Sequence, residues 1–232
     1  MPYKRSRARR ECEARLDLLV AAATKSSSSV LDSEVRQAAL QGILVQMHSA
    51  LEEYYNSVIA DWVVAVTRTR PRSDSVPHRT RSWLVHVPHF ESYRHFAYNA
   101  DERRFLDAAD VANYARSYFD DAGALPVNLT GARVVGTRSY PSFDNIKAVF
   151  GRLGIDDLRG FLNKKLSFNS QLYMQSLSDT RASVTHKFAP GITLSDVKSY
   201  AGKIARLVVW LDHALNKGVG LGTRSAIWSA LC

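Results

Sequence analysis

Residues 35–59, VRQAALQGILVQMHSALEEYYNSVI, decide how the chain folds. Val35, Ala39, Ile43, Met47, Ala50, Tyr54 and Val58 recur at steps of three and four, the spacing of one face of an α-helix. Asp32 or Ser33 can cap its start, with Glu34 in the first turn. The pattern predicts a helix running to about Val66, long enough to be a main packing element. Glu52 and Glu53 fall in its middle, so one of the two can turn toward the interior.

Outward from that helix the signals alternate. Residues 11–24 are helix-compatible, and KSSSSVLDS reads as a loop. TRTRPRSDSVPHRT breaks the periodicity with Pro71 and Pro77 and reads as a linker. Residues 83–140 are harder to assign: ERRFLDAADVANYARSYFDDAG suits a helix ending at Gly123, and LPVNLTGARVVGT suits a short extended segment. Periodicity returns in YPSFDNIKAVFGRLGI, where Ser142 or Asp144 can cap, Ile146, Val149, Phe150 and Leu153 form a stripe, and Gly154 ends the helix. Another helix is expected from about Ser167, ended by Pro190-Gly191. The last places Val197, Tyr200, Ile204, Leu207, Val208 and Leu211 on one face.

The fold class this predicts is all-α. A helical bundle spans residues 33–66 and 140–217, with a mixed or irregular insertion at 67–139. A basic arm and short helix precede it at 1–32, and a tail follows at 218–232.

The chain has 232 residues, 46% hydrophobic and 23% charged, an ordinary globular balance for one domain with an insertion. The net charge of +9 is concentrated. The first ten residues include Lys4 and Arg5 among five cations, and Arg68, Arg70, Arg72, Arg79 and Arg81 crowd the linker. Such clusters point to a polyanion, with nucleic acid the partner expected to bind these residues; a solvated basic tail is the other reading. Cys12 and Cys232 form neither a disulfide framework nor a zinc signature and suit a reducing cytosol. The LDLLVAAAT run is a poor signal peptide, and no run approaches the ~20 apolar residues that span a bilayer. A soluble cytoplasmic protein with no membrane role is expected.

The chemistry-bearing stretch is RASVTH, residues 181–186. Arg181 offers planar, bidentate donors to phosphate, and His186 titrates near neutrality and can move a proton. Five positions on a helix are ~140° and ~7.5 Å apart, so the two side chains do not share a face. They meet if the helix loosens before Pro190, or if two copies face each other across a twofold axis. Otherwise Arg181 is a solvated helix residue and His186 a C-terminal cap.

LSDTRASVTHKFAPGITLSDVKSYAGKIARLVVWLDHAL resembles the end of the HEPN superfamily. There an Arg, four to six residues and a His close one helix before a last amphipathic helix packs back. VRQAALQGILVQMHSALEEYYNSVI is similar to that family's first long helix, with its acidic-aromatic patch at Glu52, Glu53 and Tyr54. FDNIKAVFGRLGI resembles a segment of the bacterial branch associated with RiboL-PSP proteins. The resemblance implies an all-α homodimer whose joined Arg181/His186 pairs form a metal-independent, cofactor-free endoribonuclease. Its expected targets are tRNA or phage RNA, and its role that of a toxin or anti-phage effector working with an antitoxin or defence partner. Ser183, Lys187 and Glu52 or Glu53 would support the site. Two departures stand out. Ala182 replaces a residue that is often polar, which keeps a non-catalytic RNA-binding or dimerisation scaffold open. Phe188 replaces the Tyr that some such toxins have modified.

Other patterns carry less. His78, His86, His89 and His95 with Glu91 suggest a metal set, but their spacing matches no recognised ligand geometry. Trp83, Phe90, Tyr93, Phe96 and Tyr98, interleaved with Arg79, Arg81 and Arg94, suit either a stacking surface for single-stranded nucleic acid or a small aromatic core. GVGLGT lacks the Lys-Ser/Thr ending of a phosphate loop.

Overall fold

The computed structural model describes residues 3–27, 31–69, 72–99, 120, 123, 129–185, 191–218 and 228. Among them are eight α-helices and no β-strand. They are α1 (Arg7–Ser26), α2 (Ser33–Thr69), α3 (His78–Asn99), α4 (Gly131–Val135), α5 (Phe143–Arg152), α6 (Leu158–Lys165), α7 (Ser170–Thr185) and α8 (Leu194–Gly218). The protein is an all-α bundle. Among the described residues no helix is long and apolar enough to cross a membrane.

α2 is the axis, with α1, α4, α7 and α8 packed around it. Its 37 residues bury Met47, Leu51, Tyr54, Val58, Ile59 and Trp62 almost completely. Side chains of that size each contribute on the order of 1.5–3 kcal/mol when fully buried. α8 supplies the facing stripe, burying Val197, Ile204, Leu207, Val208, Leu211 and Leu215. The two are tied where the Tyr54 hydroxyl donates to the Val208 carbonyl at 3.2 Å.

Local chemistry sets the short elements. Ser142 caps α5 by accepting from the Asn145 N–H, and Gly154 leaves that helix at φ +87. Asp157 caps α6 by accepting from Gly160 N–H, and a Cβ at Gly160 would lie 2.0 Å from the Asp157 carboxylate. α6 has no counterpart in the sequence reading. α4 begins against α2, where a Cβ on Gly131 would lie 2.7 Å from the Ala60 Cα. The extended segment expected in LPVNLTGARVVGT is therefore helical at 131–135: Thr130 caps it, and glycine lets it press onto α2. The described part of the 67–139 segment also includes α3, of 22 residues. The helix expected to end at Gly123 lies outside the described residues, as do residues 186–190.

α1 starts earlier than expected, at Arg7, because the basic arm is folded in. Ser6 caps it by accepting from Arg9 N–H at 3.0 Å. Arg7 donates to Asp61 of α2 at 2.8 Å, and the Asp61 carboxylate also accepts from Ala8 N–H. Arg9 is buried and donates to Glu13 at 2.7 Å and to the Tyr3 hydroxyl at 3.1 Å. The Tyr3 hydroxyl in turn bonds Asp212 of α8, while its ring stacks on His213 at 3.8 Å. Asp212 is wholly buried, and desolvation raises its pKa, opposed by the Ser6 and Tyr3 hydrogen bonds and by Arg9.

Candidate functional site

Arg181 sits in the last turns of α7, on the side that meets α2. Its side chain is 36% exposed, so the guanidinium reaches solvent from a packed base. Among the described residues, α2 and the turn before α5 supply groups that hold it. Glu52 of α2 lies 3.8 Å away, His48 one turn earlier on the same helix receives Nη1 at 3.4 Å, and the Tyr140 ring lies 5.7 Å beneath the guanidinium carbon. Tyr140 belongs to the turn between α4 and α5 and stacks on His48 at 5.3 Å.

The polar atoms beneath Arg181 connect in one direction only. A guanidinium has no acceptor, so Nη1 donates and His48 Nδ1 must accept. The imidazole proton is then on Nε2, which lies 3.2 Å from the Tyr140 oxygen and donates to it. The Tyr140 hydroxyl donates to Ser178 Oγ at 3.1 Å, and Ser178 donates to the Met174 carbonyl at 3.1 Å. The chain starts on α7, crosses α2 and the α4–α5 turn, and ends on α7.

Along this chain the imidazole and the two hydroxyls each have an acceptor, and His48 must be neutral. Burial pushes the His48 pKa down to about 4, and the neighbouring Arg181 charge pushes the same way. A protonated His48 would have no acceptor for Arg181 and would set two cations side by side.

Elsewhere around this crevice, Tyr200 of α8 and Thr180 of α7 share a hydroxyl contact at 3.0 Å. Leu44, Met47, Leu177 and Val184 close its apolar floor.

The residues expected from sequence fall in different places. Glu52 stands beside Arg181, whereas Glu53 faces Arg15 of α1 at 3.4 Å. Ser183 donates back to the Asp179 carbonyl on its own helix at 2.9 Å, about 200° around α7 from Arg181. His186 and Lys187 lie outside the described residues; His186 is the residue directly after the last one of α7.

Among the cations expected to bind RNA, Lys4 and Arg68 are exposed, and Arg70 is outside the described residues. Arg5 pairs with Glu13, Arg72 with Asp74 and Arg79 with Asp156, while Arg81 is buried. Among the described residues no three His, Cys, Asp or Glu side chains converge as a metal site would require. The side chains of His89, Glu91 and His95 lie outside that set.

Sequence reasoning missed His48 and Tyr140. A single histidine inside an apolar stripe reads as packing, and Tyr140 is 92 residues from His48. One signal was present: His48 and Glu52 are four apart on one helix and therefore share a face.

No protein-family model matches this chain, and no curated protein or solved structure matches it either.

Proposed function

We propose that this chain is a metal-independent endoribonuclease of HEPN type, a cytosolic toxin or anti-phage effector that acts on RNA such as tRNA or phage transcripts. The observation that carries the reading is the presentation of Arg181: a half-exposed guanidinium supported from below by a neutral, buried histidine and an aromatic ring. A phosphate needs such a group, fixed in orientation and charged at any working pH. The resemblance of RASVTH and its flanking helices to HEPN proteins supports the rest, including His186 as the proton-transfer residue and a homodimer joining two pairs.

In that site Arg181 would donate two parallel N–H bonds to the non-bridging oxygens of the scissile phosphate. One His186 would remove the 2′-hydroxyl proton as O2′ bonds to phosphorus. The P–O5′ bond breaks, and His186 of the second copy would protonate the departing 5′ oxygen. The products are a 2′,3′-cyclic phosphate and a 5′-hydroxyl. The ribose supplies the nucleophile, so none of these steps calls for a metal ion.

Incubation with total tRNA and mixed single-stranded RNA in EDTA, beside His186→Ala, tests the reading. New fragments ending in 2′,3′-cyclic phosphate, absent with the variant, are expected. Failure of the wild type to cleave while RNA still binds would favour the second reading, a non-catalytic RNA-binding or dimerisation module. That reading draws on Ala182 and on the sharing of Arg181 among Glu52, His48 and Tyr140, contacts that also suit a structural arginine.

A further inference from the structure

A cavity of about 400 Å³ opens between α3 and the turn after α4. Trp83, His86 and Phe90 line one side, and Arg133 and Thr137 the other. We propose that it holds one base of a single-stranded RNA against the His86 and Phe90 rings, with an adjoining phosphate on Arg133. The inference rests on the RNA-directed reading above and gives that reading a base-recognition subsite.

Positions 83, 86 and 90 lie three and four apart, so their rings share one face of α3. Their centroids are 6.4 Å apart from Trp83 to His86 and 5.6 Å from His86 to Phe90, with tilts of 36° and 32°. The first ring is fixed. The Trp83 indole N–H donates to the Arg133 carbonyl at 3.1 Å, and the Arg152 guanidinium lies 3.3 Å from its ring centre. Arg152 is itself buried and anchored on the Val135 carbonyl at 2.9 Å. Gly136, at φ +60, lets the turn approach: a Cβ there would lie 3.0 Å from the indole.

The other two rings are open. His86 is exposed, and Phe90 is 54% exposed. A rigid indole next to two exposed rings, with Arg133 among the residues lining the other side, is the chemistry that takes a base on its π-face beside a phosphate. The volume lies within the ~300–1,000 Å³ of small-molecule sites, enough for a base with its ribose.

Thr137 lines the cavity and Tyr140 lies under Arg181. Three residues of chain span at most about 11 Å, so the backbones of Thr137 and Tyr140 lie within that distance.

The test compares binding of two short 2′-O-methyl RNA strands in EDTA, one with its bases and one abasic. The methyl group blocks the proposed nucleophile, so binding is read without cleavage. The wild type is expected to hold the base-bearing strand at least about fivefold tighter than the abasic one. His86→Ala with Phe90→Ala should abolish that preference, and Phe90→Leu, which keeps apolar volume without a ring, should reduce it. Arg133→Gln should weaken both strands alike and lower the salt dependence. Arg181→Ala should keep the preference.

No preference in the wild type, or one that survives loss of both rings, overturns the proposal. A base preference in a protein that leaves unmodified RNA uncut keeps this subsite and removes the catalytic reading.

Discussion

Two sets of arginines lie against α2, and the fold uses them in opposite ways. In the N-terminal arm, Arg7 meets the buried carboxylate of Asp61, and Arg9 is enclosed by Glu13 and Tyr3, next to Asp212. Those pairs dock α1: Asp61 and Arg9 are buried, while the Arg7 side chain remains 54% exposed. Arg181 instead rests on a neutral imidazole and a phenol ring, with one half-exposed carboxylate at 3.8 Å. The close, buried Asp61 carboxylate neutralises Arg7, whereas the more distant, half-exposed Glu52 offsets only part of the Arg181 charge and neutral His48 orients the guanidinium. A cluster of basic residues in a sequence is therefore no measure of the charge a surface offers.

Substitutions on each side should separate docking from display. Asp61→Ala removes the buried acceptor of Arg7 and of the Ala8 N–H, and should cost about 3 kcal/mol in denaturant unfolding. RNA cleavage per folded molecule should stay the same.

His48 should leave a pH signature. Its pKa is about 4 in the fold against an ordinary 6.5, so between those values the unfolded chain binds more protons. Stability from this group is complete above about pH 6.5 and is lost as pH falls toward 4, by about 2 kcal/mol between pH 6.5 and 5. His48→Gln, an amide able to accept from Arg181 and donate to Tyr140, should flatten that limb in denaturant titrations at the two pH values.

Tyr140→Phe removes the acceptor of His48 Nε2–H and should cost about 1 kcal/mol. Nitrogen NMR of the His48 ring should show the Nε2–H tautomer in the wild type and its disturbance in the variant. The smallest effect belongs to Arg5→Ala. Its pair with Glu13 is solvent-exposed, so thermal unfolding should register a change within about 0.5 kcal/mol.

The long elements were legible because burial dictates their spacing. The stripes of α2 from Ile43 onward, α5 and α8, and the cap at Ser142, follow from periodicity and one hydroxyl, whereas Val35, assigned to the α2 stripe, is exposed. α6 was hidden because only eight residues form it and its start depends on the Asp157 carboxylate reaching Gly160. α4 was hidden because β-branched Val134 and Val135 suggest an extended strand, whereas Gly131 against Ala60 fixes a helical turn.

At the candidate site, Arg181 and Glu52 could be named from residue type and spacing. The histidine beneath Arg181 could not, since its role depends on a tyrosine brought in from another element. The docking of the N-terminal arm was hidden for the same reason: Asp61, which pairs with Arg7, and Asp212, which bonds Tyr3 and Ser6, are distant in sequence.

Single-turnover cleavage of one single-stranded RNA in EDTA by wild type, Arg181→Lys and Arg181→Ala tests the central claim most directly, with thermal unfolding of each protein alongside. Lysine keeps the charge and loses the planar fork. Lysine should keep close to the wild-type unfolding midpoint, alanine should be less stable by about 1 kcal/mol for the lost hydrogen bond to buried His48, and both should lose on the order of 10²–10³ in rate, with alanine the slower. Cleavage at the wild-type rate by folded Arg181→Ala would contradict the claim that this arginine is displayed for phosphate.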